Sequence, residues 1–346
     1  MSTRVLIVDD SGVQRAAFRK HVEAAGLEVV GEARDGETAV QLVQKLQPDV
    51  VLMDVRMPGL DGLGATQRIM AQRPTPILLV TAQDNLEEDA NLGLHALEDG
   101  ALELIAKPDL SQPGAGAELA NRLRLLASVP VISHPKGRTR SRPRPTTARR
   151  TTYHRRARSL ITVVASTGGP NALRVLLSGL PADLKAAVVI VQHIDGSFEQ
   201  ALARWLDAET ELEVRLASDD QDLYSGCAYL APQGSYAEVT VRRRLALIEG
   251  FPPPGGHCPN GDRLFSSAAD AYGDRAIGVV LTGMGADGSL GLQALHEAGA
   301  LTIAQDEASS VIWGMPGAAV ASGACSQVLP LDRIATALIE AVGALG

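Results

Sequence analysis

Short apolar runs alternate along the chain with longer segments whose apolar residues recur every three to four positions. In the first stretch the runs are Val5–Val8, Val29–Val30, Val50–Met53, Ile77–Val80 and Leu102–Ile105. Such short apolar or β-branched runs suit strands buried on both faces. Between them, Val13–Ala25, Glu37–Leu46, Gly62–Gln72 and Leu86–Leu97 carry helical spacing, and Glu118–Ala127 supplies a closing helix. Five β-α units predict a parallel, doubly wound sheet whose site lies at the carboxyl ends of its strands.

Periodicity disappears from residue 128 to 158, where Pro130, Pro135, Pro143 and Pro145 fall, and this segment reads as a linker. A second alternation follows. Ile161–Ala165, Val188–Gln192, Ala228–Ala231, Ile277–Leu281 and Leu301–Ala304 read as strands, and Ala172–Ser178, Phe198–Leu206, Arg263–Tyr272, Leu290–Ala298 and Ile334–Val342 as helices. Val239–Val241 and Leu245–Ile248 suggest a small hairpin around Arg242–Arg244. The layout is therefore two α/β domains, residues 1–127 and 159–346, each built on a doubly wound parallel sheet.

Composition refines this picture. The 346 residues are 45 % hydrophobic but only 3 % aromatic, so both cores must be aliphatic. Net charge is −8, yet residues 133–158 hold nine Arg and one Lys with no acid; taking that +10 away leaves −18 elsewhere. An acidic body argues against nucleic acid as the main partner. The basic strip reads as a self-repelling spacer or as a contact for an acidic surface. Cys227, Cys258 and Cys325 lie far apart, with no zinc spacing. The chain enters a strand pattern at once and holds no apolar run of about 18 residues, so neither signal peptide nor membrane span is expected, and the place is cytoplasmic.

Asp9 and Asp10 follow the first apolar run and Asp54 the third, so a parallel sheet brings three carboxylates to one edge. They repel one another, and an oxygen-only cluster favours a hard cation such as Mg²⁺. Thr81 ends the fourth run and Lys107-Pro108 follows the fifth. A metal, a nucleophilic carboxylate, a hydroxyl and a lysine suffice for phosphoryl transfer to aspartate. Asp9-Asp10, Met53-Asp54-Val55-Arg56-Met57-Pro58-Gly59, Asp61-Gly62, Thr81 and Lys107-Pro108 together resemble a response-regulator receiver domain of the flavodoxin-like fold. The resemblance implies that Asp54 accepts phosphate from a histidine kinase. It implies that Asp9, Asp10, Asp54 and the Arg56 carbonyl hold Mg²⁺, and that Thr81 and Lys107 bind the phosphoryl group. Many receivers carry an aromatic switch in the fifth strand; here Ile105 stands in its place.

In the second domain the run Ile161–Ala165 delivers Ser166-Thr167-Gly168-Gly169-Pro170. A serine at a strand-to-helix turn is exposed at the sheet edge, glycines permit the turn, and the helix N-terminus favours developing negative charge. Val164 stands where a full nucleophile elbow has Gly. His193 follows the next strand and can take the serine's proton; Asp287, in a glycine-rich turn after another strand, can orient that histidine. Ala165-Ser166-Thr167-Gly168-Gly169-Pro170, Val191-Gln192-His193, His257-Cys258-Pro259, Leu281–Gly288 and Trp313-Gly314-Met315-Pro316 resemble the catalytic domain of chemotaxis protein-glutamate methylesterases, a Rossmann-like serine hydrolase. The resemblance implies that Ser166 is the nucleophile, His193 the base and acid, and Asp287 its orienter. Thr167 is a hydrogen-bonding neighbour and the Met284 N–H an oxyanion donor. Glutamate methyl esters on the cytoplasmic helices of chemoreceptors are the implied substrate, with deamidation of receptor glutamines by the same route and no cofactor for the hydrolysis. It further implies that the unphosphorylated receiver restrains the hydrolase. Departures from the family pattern are Val164, Ile194-Asp195-Gly196-Ser197 after the histidine, and Tyr236 in place of a histidine. His257 reads as a structural residue. A receptor-docking module without catalysis and a DNA-binding regulator are the rival classes; strands alternating with helices in the second half disfavour the latter.

Overall fold

The structure, a computed structural model, describes residues 2–82, 93–131, 155–252 and 256–345. The chain divides into two compact units, residues 1–150 and 151–346.

The first unit holds five strands: β1 (Arg4–Val8), β2 (Glu28–Ala33), β3 (Val50–Asp54), β4 (Ile77–Thr81) and β5 (Glu103–Ala106). They form one parallel sheet in the order β2-β1-β3-β4-β5. Every residue of β3 and β4 is buried, as the unbroken apolar runs require. Burying a side chain such as Leu52 contributes about 1.5–3 kcal/mol. Strand order turns at the β1–β3 pair, which opens a crevice at their carboxyl ends. Helices Gly12–Ala24, Gly36–Leu46 and Gly62–Gln72 begin at Ser11, Asp35 and Asp61, whose side chains accept from the N–H groups of Gln14, Thr38 and Gly64. The closing helix is Ala115–Ala127. Of the expected helix Leu86–Leu97, residues 86–92 lie outside the described residues, and 93–97 are helical.

The second unit is larger than its periodicity suggests. A seven-stranded parallel sheet has the order β15-β14-β13-β6-β7-β10-β8. Its strands are β6 (Ser159–Ala165), β7 (Ala186–Gln192), β8 (Glu213–Leu216), β10 (Cys227–Leu230), β13 (Ala276–Val280), β14 (Leu301–Gln305) and β15 (Gln327–Leu329). A separate antiparallel sheet joins β9 (Gln221–Asp222), β11 (Ser235–Val239) and β12 (Arg244–Glu249). It contains the expected hairpin, closed through Arg243 at φ 58°. The strands absent from the sequence reading, β8, β9 and β15, are short edge or bridging elements of mixed polarity, where burial on one side leaves no apolar run.

The linker assigned to 128–158 is shorter at its C-terminal end. Arg156 bridges to Tyr224 and pairs with Asp222, and Ala157 is buried with its N–H on the Leu223 carbonyl, so residues 155–158 belong to the second unit. Residues 132–154 lie outside the described residues.

Candidate active site

In the first unit, the pairing Val8↔Met53 aligns the ends of β1 and β3, so Asp9 and Asp54 emerge side by side. One carboxylate oxygen from each of Asp9, Asp10 and Asp54 lies within 4.8 Å of the others. Lys107, held beside β4 by its N–H on the Thr81 carbonyl (2.8 Å), extends its Nζ to 2.7 Å from Asp54 and 2.8 Å from Asp9. Among the described residues, Lys107 is the one group that meets the buried Asp9 Oδ2. Burial pushes the Asp54 carboxyl up to about 6 against the pull of Lys107, with the Asp9 charge adding to the rise. Burial lowers the Lys107 ammonium, but its two carboxylate partners outweigh this and hold it above the ordinary value. A cluster of three carboxylates, one with a buried oxygen that only Lys107 meets among the described residues, fits a hard divalent cation. Thr81 is fully buried and Ile105 half-buried. Gly62 packs so tightly on β3 that a Cβ would stand 2.4 Å from the Asp54 carbonyl oxygen.

In the second unit, β13, β6 and β7 are adjacent, and the three candidate residues follow their carboxyl ends. Ser166 continues β6, its N–H on the Thr282 carbonyl (3.0 Å). The turn behind it closes through Gly168 at φ +76°, and Gly169 donates to the Ser166 carbonyl at 2.8 Å. Gly283 lies directly against the serine: a Cβ there would stand 2.7 Å from Ser166 Cβ and 2.4 Å from Met315 Sδ. His193 follows β7, its N–H on the Ala165 carbonyl at 2.9 Å, one residue before the serine. Thr167 is buried, and its carbonyl accepts from Thr282 Oγ1 at 3.0 Å. Met284 is 42 % exposed at the mouth of the loop after β13.

His193 Nε2 lies 2.9 Å from Asp287 Oδ2. The carboxylate accepts three further bonds: from Asn260 Nδ2 (2.7 Å), Gly261 N–H (2.7 Å) and Asp262 N–H (3.2 Å). Burial would raise this carboxyl, but His193 and the N–H groups of Gly261 and Asp262 together hold it below its usual range. A charged, acceptor-only Asp287 makes Nε2 the protonated nitrogen, leaving a lone pair on Nδ1. That Nδ1 is buried and, among the described residues, makes no hydrogen bond.

Three features of the site were not anticipated. Gln192 is buried, and its Nε2 ties the Ser166 carbonyl (2.8 Å) to the His193 carbonyl (2.9 Å), bracing the elbow. Asn260 caps the helix Gly261–Tyr272 and also binds Asp287. His257 is no helix cap: its ring stacks on His193 with centroids 3.9 Å apart and planes at 15°. Only the Gln192-His193 and His257-Cys258-Pro259 pairings could have flagged these residues, because their role depends on contacts between strands and helices far apart in the chain. The departures are accommodated. Val164 fits because its side chain packs over Gly261, where a Cβ would stand 2.6 Å away. Asp195 is exposed and accepts from Ser197 N–H at 2.9 Å, and Tyr236 is buried with its hydroxyl on the Phe251 carbonyl.

Known proteins share both halves. Residues 5–113 match the response regulator receiver domain and residues 161–338 the CheB methylesterase domain. The chain is 43 % identical over 342 residues to protein-glutamate methylesterase/protein-glutamine glutaminase 3 of Myxococcus xanthus, covering 97 % of this chain and 93 % of that protein. It is also 43 % identical over 343 residues to the corresponding protein 2 of Anaeromyxobacter dehalogenans, covering 97 % and 96 %. The crystal structure of the Thermotoga maritima CheB methylesterase catalytic domain superposes with a TM-score of 0.51 at 32 % identity, covering 53 % of this chain and 97 % of that one. Fold and matches define the class, a receiver domain joined to an α/β hydrolase domain. Within that class the chain belongs to the CheB methylesterase family, and the α/β fold expected for both halves is the one found. Among the described residues no helix is long and apolar enough to cross a membrane.

Proposed function

We propose that this chain hydrolyses glutamate methyl esters on the cytoplasmic helices of chemoreceptors, with Ser166 as nucleophile, His193 as base and acid and Asp287 as its orienter. The observation that carries the reading is the His193–Asp287 bond at 2.9 Å with a buried, unbonded Nδ1 on the far side of the ring. Ser166 Oγ attacks the ester carbonyl while its proton passes to Nδ1. Asp287 stabilises the imidazolium, and the Met284 N–H meets the oxyanion with Thr167 beside it. Collapse breaks the C–O bond, and methoxide leaves as methanol with the proton from His193. Water, deprotonated by His193, then frees the glutamate carboxylate and restores Ser166. The same steps applied to a glutamine amide release ammonia, the activity for which the relatives are also named. Hydrolysis in this scheme draws on the side chains named, the Met284 N–H and water.

Asp54 would be phosphorylated from a histidine kinase. Asp9, Asp10, Asp54 and the Arg56 carbonyl would hold Mg²⁺, and Thr81 and Lys107 the phosphoryl oxygens. The cation supplies charge neutralisation for phosphoryl transfer. In this reading the receiver spans 1–127 and the hydrolase domain, set at 159–346 by its pattern, begins at 155, which shortens the linker of 128–158 to 128–154. A cytoplasmic location goes with such a substrate and such a phosphodonor in this reading.

Methanol release from methylated receptor membranes tests the reading, comparing wild type, Ser166→Ala and Asp54→Asn with and without a small phosphodonor and Mg²⁺. Release should need Ser166 and rise with phosphodonor only when Asp54 is present. No release from a wild type whose receiver still phosphorylates would make the second domain a receptor-docking module instead.

A further inference from the structure

Asp287 precedes the helix Ser289–Glu297, yet its carboxylate does not cap that helix. It reaches across to the helix Gly261–Tyr272, whose first N–H groups, Gly261 and Asp262, it accepts. Asp262, in the first turn of that second helix, returns the contact. Its Oδ1 accepts the Gly291 N–H at 2.8 Å. Neither aspartate serves its own helix: Asn260 caps Gly261–Tyr272 through the Arg263 N–H at 2.9 Å. The two helix starts are clasped crosswise, each by the other's carboxylate. Nothing separates the helices at this point, since a Cβ on Gly291 would stand 2.4 Å from the Asp262 carbonyl oxygen.

We infer that Asp262 is a positioning residue for catalysis, setting through this crossed clasp the place of Asp287 and so of His193. The inference rests on the triad proposed above. A helix N-terminus favours a carboxylate both through its free N–H groups and through its dipole, so each arm of the clasp resists displacement. Placing two acids this close has a cost: burial first, and the Asp287 charge among the lesser causes, raise the Asp262 carboxyl. The titratable groups that meet here are His193, stacked on His257, and Asp287 and Asp262.

The test is the pH profile of kcat/KM for a small activated ester, per active site titrated with a fluorophosphonate, in the full chain. Asp262→Ala should lower kcat about tenfold with KM little changed, short of the roughly hundredfold that a 1 Å misplacement can cost. Its acid limb should shift to lower pH, as in Asp287→Asn but less far, because an imidazolium without a well-placed carboxylate loses its proton sooner. Asp262→Asn, whose amide oxygen can still accept from Gly291, should restore the limb. If Asp262→Ala does not fold, Asp262→Glu, with its carboxylate pushed one methylene too far, should show the same shift. A wild-type limb and wild-type kcat per titrated site in Asp262→Ala or Asp262→Glu would overturn the inference while leaving the triad standing. A wild type that neither hydrolyses the ester nor reacts with the fluorophosphonate would overturn the triad and this role together.

Discussion

Asp54 and Asp287 each lie at the carboxyl edge of a parallel sheet, and the side chain of each is 6 % exposed. Equal burial gives opposite results: Asp54 is pushed up to about 6, whereas Asp287 is held below the usual range. Donors make the difference. Asp287 accepts from His193, Asn260 and two N–H groups at a helix start. Asp54 has Lys107 and a long bond from the Arg56 N–H (3.4 Å), and it shares Lys107 with Asp9. One carboxylate is held charged by donors built into the scaffold; the other gives up its charge more readily than a free carboxylate, despite Lys107. The same side chain in the same kind of crevice is thus tuned in opposite directions by its donors.

The comparison can be broken most sharply at the hydrolase. Ser166→Ala should lower ester hydrolysis at least about 10⁴-fold, since nothing else in the site can form the acyl intermediate; steady-state methanol release reads this. Asp287→Asn should cost about 10³–10⁴-fold in kcat, because an amide cannot stabilise the imidazolium and favours the wrong tautomer. A loss under tenfold would mean that the 2.9 Å bond to His193 is structural.

In the receiver the expected effect reverses sign. The Asp54 carboxyl titrates near 6 in the folded chain and near 3.8 when free. A carboxyl whose folded pKa is raised supports the fold only while protonated, so stability from this group declines as pH rises from about 4 to about 6. Asp54→Asn should therefore stabilise the receiver by up to about 3 kcal/mol at pH 7.5 in Mg²⁺-free buffer, read by denaturant melts. The gain should shrink at pH 4 and when Mg²⁺ is added to the wild type. Equal stability of both proteins at pH 7.5 would refute the strain assigned to Asp54. The smallest effect is at Asn260. Removing this cap by Asn260→Ala should cost about 1 kcal/mol of stability, with a modest fall in kcat from the lost bond to Asp287.

How much of this was legible in the sequence depended on how local each cause is. Unbroken runs such as Val50–Met53 and Ile77–Val80 announce strands covered on both faces, and both are fully buried. Asp9, Asp54, Ser166 and His193 could be placed because a parallel sheet brings every strand's carboxyl end to one edge. Strands β8 and β15 escaped because edge strands carry mixed residues. Arg156 and Ala157 were read as linker because basic composition hid their packing on Asp222 and Leu223. His257, Gln192 and Asp262 act across elements, and no periodicity encodes a ring stacked on another strand's histidine or a carboxylate clasping another helix. The resemblance to the methylesterases supplied the triad's roles, which spacing alone could not.

The most direct test of the central claim, that His193 and Asp287 activate Ser166, is covalent labelling by a fluorophosphonate with the modified peptide mapped by mass. The account predicts stoichiometric labelling on Ser166 in the wild type, none in Ser166→Ala, and labelling slowed at least about 10³-fold in Asp287→Asn. Labelling of the wild type at another residue, or at Ser166 with the same rate in Asp287→Asn, would contradict it.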